Sequence, residues 1–135
     1  MKKLLSTSYP AWAFNIAMLL LRLGMAVLMI PHGYDKLVNF ASYKKDFINF
    51  LGLGSTVSLA LVVFSEFFCS IFVLLGLFTR LATIPIIIST SVAVVQAHNL
   101  DIFGDGEHGS LFIVGLIVIL LCGPGKASLD GISGK

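Results

Sequence analysis

The stretch from Val62 to Leu75, VVFSEFFCSIFVLL, is an apolar run that contains a single carboxylate, Glu66. A charge at the middle of a lipid bilayer costs roughly 3 kcal/mol on insertion scales, and such residues almost always face other helices and find a partner there. The stretch therefore predicts a membrane-spanning helix whose carboxylate points into a helix bundle.

The whole composition agrees with a membrane protein. Of the 135 residues 57% are hydrophobic and 12% are charged, whereas soluble domains carry about 25% charged residues. A single domain of this length cannot hide so much apolar surface from water. We therefore expect one small membrane domain over residues 1–135 within a lipid bilayer. The net charge of +2, without a basic block, gives no support to a nucleic-acid partner.

The apolar residues fall into blocks that predict four spans, over about residues 12–30, 56–78, 81–98 and 107–123. Each span must be helical, because lipid offers backbone groups no water to bind. The first span is expected to end at Pro31. Between Pro31 and Ser55, apolar residues at spacings near three, four and seven predict an amphipathic helix (Leu37, Phe40, Phe47, Phe50 and Leu51). The predicted fold is an all-α integral membrane protein, a four-transmembrane-helix bundle with an amphipathic segment between helices 1 and 2.

Orientation follows from the basic residues of the short connections. One side of this topology collects Lys2, Lys3, Arg80, Lys126 and Lys135, and the other collects Lys36, Lys44 and Lys45. The bias predicts that both termini lie in the cytoplasm.

The first span also carries a charge, Arg22. At 1.5 Å per residue, Arg22 lies roughly 15 Å from the inner face and Glu66 roughly 18 Å. The matched depth predicts that the two side chains meet in the bundle, directly or through water. Such a polar centre has two interpretations: it either specifies helix packing or lines a ligand pocket or proton path.

A second group of polar residues is expected at the other end of the spans, where His32, His98, Glu107 and His108 fall at similar depth. Histidine moves protons near neutral pH and binds metals. The spacing has no metal-site signature, so no metal is expected. Hydrogen bonding at the interface, a proton relay and contact with a quinone head group remain open.

Four segments of the chain resemble the DoxX family in order and spacing: LLRLGMAVLMIPHGYDKL (Leu20–Leu37), SEFFCSIFVLLGLFTRLAT (Ser65–Thr83), AVVQAHN (Ala93–Asn99) and GDGEHGSLFIVGLIVILLCGPGKASLD (Gly104–Asp130). The resemblance implies a four-helix protein of the bacterial inner membrane. It also implies an oxidoreductase link, since some relatives resemble subunits of a quinone-reducing thiosulfate oxidoreductase, whereas more distant ones resemble assembly chaperones. The family pattern carries over to Arg22, His32, Gly33, Lys36, Glu66, Arg80, His98, Glu107, Ser128 and Asp130. Lys126 departs from it, because an arginine is common at that position.

Three functions are consistent with these features. The first is a redox-linked subunit that binds a quinone or another lipophilic ligand in the polar centre, with a partner protein supplying electrons, since the sequence has no haem, flavin or iron–sulfur motif. The second is a non-enzymatic membrane assembly factor or scaffold. The third is a small transporter, which four spans could form only as a homo-oligomer.

Overall fold

The computed structural model describes residues 2–45, 47, 52–97, 103–104 and 106–134, and these form helices and no strand. In chain order the helices are α1 (Lys2–Leu5), α2 (Ala11–Val38), α3 (Phe40–Lys44), α4 (Ser55–Val63), α5 (Ser70–Leu75), α6 (Thr79–Val92), α7 (Glu107–Cys122) and α8 (Leu129–Ile132). A first π-helical segment, Phe64–Cys69, joins α4 to α5, and a second, Ala93–Ala97, follows α6. The prediction of an all-α protein is confirmed.

The long helices share one core. α2 packs against the first π-helical segment, α5 and α7, while α6 packs against α7 and the same π-helical segment. The buried cluster between them comprises Met18, Ala26, Met29, Cys69, Val73, Ala82, Ile86, Leu116 and Ile119. Within the described residues, two helices are long and apolar enough to cross a bilayer, α2 and the continuous helix Ser55–Leu75. The apolar helices Thr79–Val95 and Glu107–Cys122 are shorter.

Glycines allow the closest helix contacts. A Cβ added to Gly33 on α2 would lie 2.5 Å from the backbone nitrogen of Phe67 in the first π-helical segment. A Cβ added to Gly115 on α7 would lie 2.5 Å from Sδ of Met25 on α2. Small residues at such positions let helix backbones approach in a membrane, where packing rather than water exclusion drives association. Gly33 therefore helps to fix where α2 meets the π-helical segment.

The expectation that the first helix ends at Pro31 is wrong. α2 continues through Pro31 to Val38. Proline removes one hydrogen bond, which long membrane helices tolerate when neighbouring helices hold them. Of the predicted amphipathic helix, the described residues contain the five-residue α3, which has no buried residue. Its part at Phe50 and Leu51 lies outside the described residues. The extension of α2 places Lys36 on the bundle rather than in a loop.

Candidate functional site

The strongest candidate site is an ion pair between α2 and the first π-helical segment. Lys36 Nζ donates a hydrogen bond of 2.7 Å to Glu66 Oε2, and the two side chains are 20% and 11% exposed. Glu66 enters from the π-helical segment, and Lys36 lies one turn beyond Gly33, whose missing side chain admits the backbone of residues 66 and 67. π-helical insertions in α-helices occur frequently at functional sites.

Aromatic residues adjoin this pair along the chain and contact one another. The ring centroids of Tyr34 and Phe67 are 6.1 Å apart, and Phe67 meets Phe68 edge to face at 5.2 Å. Apolar walls beside one cationic donor and one carboxylate form a surface suited to a flat ligand with polar groups. Its polar atoms could bond to Lys36 and Glu66 while its ring packs on Phe67.

A second hydrogen bond closes the same end of α2. The Tyr43 hydroxyl on α3 donates to the Asp35 carboxylate, which also accepts from the Asn39 side chain at 3.0 Å. This bond raises the pKa of Tyr43 above its ordinary value, and the negative charge of Glu66 contributes a smaller part of the increase. The contact ties α3 to the last turns of α2, next to Lys36.

The predicted Arg22–Glu66 pair is wrong. Arg22 is 3% exposed, but its two terminal nitrogens donate to the carbonyl oxygens of Pro124 at 2.7 Å and Ala127 at 2.8 Å. The guanidinium therefore holds the C-terminal tail (Gly123–Asp130) against the bundle. Its planar fork suits two carbonyls that a single ammonium group could not bind in the same geometry.

The register of the helices explains this result. Gly33 of α2 lies against Glu66, whereas a Cβ on Gly76, after α5, would lie 3.2 Å from Arg22 Cζ. These two levels are separated by ten or eleven residues along each helix, or about 15 Å. The depths of Arg22 and Glu66 were counted from the first apolar residue of each predicted span. Such a count cannot predict this shift, because it does not include a C-terminal tail that folds between the helix ends.

The C-terminal tail is attached at three further points. Asp130, 7% exposed, accepts hydrogen bonds from Phe78 N, Thr79 N and Thr79 Oγ1, each 2.9 Å long, so it caps the start of α6. Its own nitrogen donates to Gly76 O at 2.8 Å. Lys126 N donates to the Asn15 side chain at 3.0 Å. In the sequence only the family resemblance indicated Asp130.

The carboxylate cap also accounts for a strained turn. Gly76, with φ of 71°, ends α5, and Phe78 has a φ of 47°, which is uncommon for a residue other than glycine. The Asp130 carboxylate binds the nitrogen of Phe78 itself and that of the next residue. The turn at residues 76–79, the GLFT turn, and the tail therefore stabilise each other.

Hydroxyl groups continue the polar interior between the two π-helical segments. Ser65 and Ser89 share a hydrogen bond of 2.8 Å that connects the first π-helical segment to α6. The hydroxyls of Ser70 and Thr90 are buried and make no hydrogen bond among the described residues. A polar bundle centre is therefore present, although it is not organised around Arg22.

The group predicted at the other end is described only in part. His98 lies outside the described residues. The His32 ring meets Phe112 of α7 edge to face at 6.3 Å, one turn beyond His108. Glu107 and His108 are exposed in the first turn of α7. The approach of His32, His98 and Glu107 to one another stays a prediction. Within the described residues no three His, Cys, Asp or Glu side chains are placed to hold a metal ion.

Arg80 lies at the opposite end of the bundle from Lys36. It is exposed, its Nη2 donates a long hydrogen bond of 3.4 Å to Leu121 O, and its guanidinium lies beside Gly123. A cavity of about 820 Å³ opens next to it, between the start of α2, the GLFT turn and the C-terminal tail. This cavity thus lies away from the Lys36–Glu66 pair.

Comparison with known proteins identifies one family. The family model for DoxX matches residues 17–99, which include Arg22, Gly33, Lys36 and Glu66. No curated protein and no solved structure matches the chain.

Proposed function

Because the chain belongs to the DoxX family of membrane proteins, we propose that it binds a lipophilic ligand with a polar head group, best represented by a quinone, at the Lys36–Glu66 pair. In this proposal it is the membrane subunit of a redox system of the bacterial inner membrane. The observation that carries the proposal is the partly exposed ion pair between α2 and a π-helical segment, where the next residue in the chain, Phe67, contacts the Tyr34 ring.

The proposed topology has four spans, with both termini on the cytoplasmic side. Two helices have the length and apolarity of a span, and the helices Thr79–Val95 and Glu107–Cys122 are apolar but shorter. The hydrogen bond between Lys126 N and the Asn15 side chain supports the placement of both termini at one end of the bundle. The excess of basic residues at that end supports its assignment to the cytoplasm.

Lys36, Glu66 and Phe67 would each have a different role in binding the ligand. Lys36 would donate a hydrogen bond to a carbonyl oxygen of the ligand, and the ring of Phe67 would form one wall of the slot. Glu66 would exchange a proton with the ligand, as a carboxylate within hydrogen-bond reach can do. A quinone bound there would accept electrons delivered by a partner protein. Both groups now bond to each other, so the ligand must insert between them or share their bond.

A second candidate function has its own support. Lys36 and Glu66 pair with each other, and Arg22 uses both terminal nitrogens to hold the tail. These charges are therefore also consistent with a scaffold or assembly factor, in which they specify helix packing and no ligand binds.

Purification in a mild detergent, followed by mass spectrometry of retained quinones and lipids, distinguishes the two functions. We expect quinone to accompany the wild-type protein and to be lost from Glu66→Gln and Lys36→Gln while their helical content is kept. Lys44→Gln, which changes an exposed lysine on α3, is the matched control and should retain quinone. A stoichiometric protein partner without quinone would instead support the scaffold.

A further inference from the structure

A second region that could bind a ligand lies at the end of the bundle that carries the two termini. The cavity there, of about 820 Å³, has the size of a small-molecule site and is open to the surface. Its walls come from three parts of the chain that are distant in sequence. They include Tyr9, Phe14, Arg80, Gly123 and Lys126.

The charged groups of this cavity favour an anion. Arg80 is exposed and, within the described part of the chain, makes one long hydrogen bond, although a guanidinium carries five N–H donors. The side chain of Lys126 is exposed. The backbone nitrogen of the same residue donates a hydrogen bond to the Asn15 side chain, which fixes the loop in place. The carboxylate in the wall, Asp130, accepts three hydrogen bonds from the start of α6, so its oxygens are already engaged.

An apolar groove lies beside the cavity on the outside of the bundle. It has a volume of about 160 Å³ and is lined by Phe64, Cys69, Phe72, Phe78, Leu81, Ala82 and Pro85. Phe78 and Leu81 line both the groove and the cavity, so the two are direct neighbours. These two side chains are 51% and 68% exposed on a face that a membrane protein turns toward lipid.

We propose that this composite site binds an anionic phospholipid, with the phosphate between Arg80 and Lys126 and an acyl chain in the groove that begins at Phe78. Basic pockets at the ends of membrane helices commonly hold acidic lipid head groups. A cationic cavity that adjoins an apolar groove fits an amphiphile better than a free anion. The cavity for the phosphate is separate from the Lys36–Glu66 pair, since Gly76, beside the cavity, lies about 15 Å along the helix from Glu66. The groove reaches Phe64 and Cys69 of the first π-helical segment.

Native mass spectrometry of the protein in a neutral detergent tests this site, with equal amounts of phosphatidylglycerol and phosphatidylcholine added. We expect preferential retention of phosphatidylglycerol. Arg80→Gln and Lys126→Gln should each weaken it roughly fivefold, which is the effect of one basic residue near an anionic membrane surface. Lys44→Gln, an exposed charge change on α3, should leave it unchanged. Leu81→Gln should weaken retention of phosphatidylglycerol by adding a polar group where the cavity meets the groove.

The other outcomes would overturn the proposal. Equal retention of both lipids by the wild-type protein, or unchanged selectivity in Arg80→Gln and Lys126→Gln, would show that the cations do not select the ligand. Effective competition by glycerol phosphate, with Leu81→Gln behaving as wild type, would assign the cavity to a free phosphate compound. Thermal unfolding of each variant without lipid confirms that the folded protein is compared.

Discussion

Paired substitutions of Lys36 and Glu66 test the arrangement of charges in the bundle. We expect Lys36→Met and Glu66→Gln each to lower the free energy of unfolding. The first leaves the Glu66 carboxylate without its donor, and the second removes the negative charge that pairs with the Lys36 ammonium. A hydrogen bond to a charged group contributes about 1.5–3 kcal/mol. The side chains of Lys36 and Glu66 are 20% and 11% exposed, and solvent weakens such a pair. We therefore expect a coupling energy near the lower end of this range, at about 1.5 kcal/mol. The double variant should therefore be more stable than the sum of the single losses predicts.

The matched control pairs Arg22→Met with Glu66→Gln. The two side chains act at levels about 15 Å apart along α2, and Arg22 binds the tail carbonyls of Pro124 and Ala127. Substitutions at sites separated by more than about 10 Å usually add within about 0.5 kcal/mol. We expect the Arg22→Met and Glu66→Gln losses to be additive.

Equilibrium unfolding in a mild detergent, followed by circular dichroism, gives the free energies for both cycles. A coupling energy below about 0.5 kcal/mol for Lys36 and Glu66 would refute a stabilising ion pair, since independent sites show that much. A coupling above about 1 kcal/mol for Arg22 and Glu66 would refute the register described above and restore the pairing expected from depth alone.

Three further predictions concern the tail, the helix contact and α3. Asp130→Ala should destabilise the protein by about 1–3 kcal/mol, because it leaves buried donors at the start of α6 unpaired, and should expose the C-terminal tail to limited proteolysis; an undigested tail would contradict the cap. Gly33→Ala should lower the thermal unfolding temperature because its Cβ would clash with backbone, whereas Gly24→Ala, with nothing within 4 Å, should not; equal effects would contradict the close contact. The absorbance titration of Tyr43 should show a pKa above 10.0, and Asp35→Asn should lower that pKa. The contribution of the Tyr43–Asp35 hydrogen bond to stability is complete below pH 10.0 and is lost as pH rises through the raised pKa of Tyr43.

Several features of the site could be predicted from residue type and spacing. Arg22 and Glu66 were both identified as charges within apolar helices, and both are buried. Their partners were not identified, because Pro31 was expected to end the first helix. Extending that helix would have placed Lys36 two heptads after Arg22, on the face that also carries Gly33. The register with Glu66 would still have been unknown.

The sequence by itself determined that this is an all-α membrane protein of the DoxX family, because apolar block length and composition are local properties that set how each segment partitions into lipid. Only the tertiary structure decided which charges meet. Pairing depends on the axial offset between helices, which is set by the contact of Gly33 with the backbone at Glu66 and by the tail held on Arg22. An axial shift of about ten residues, or about 15 Å, leaves the apolar pattern of each helix unchanged. It changes the partner of Glu66 from Arg22 to Lys36.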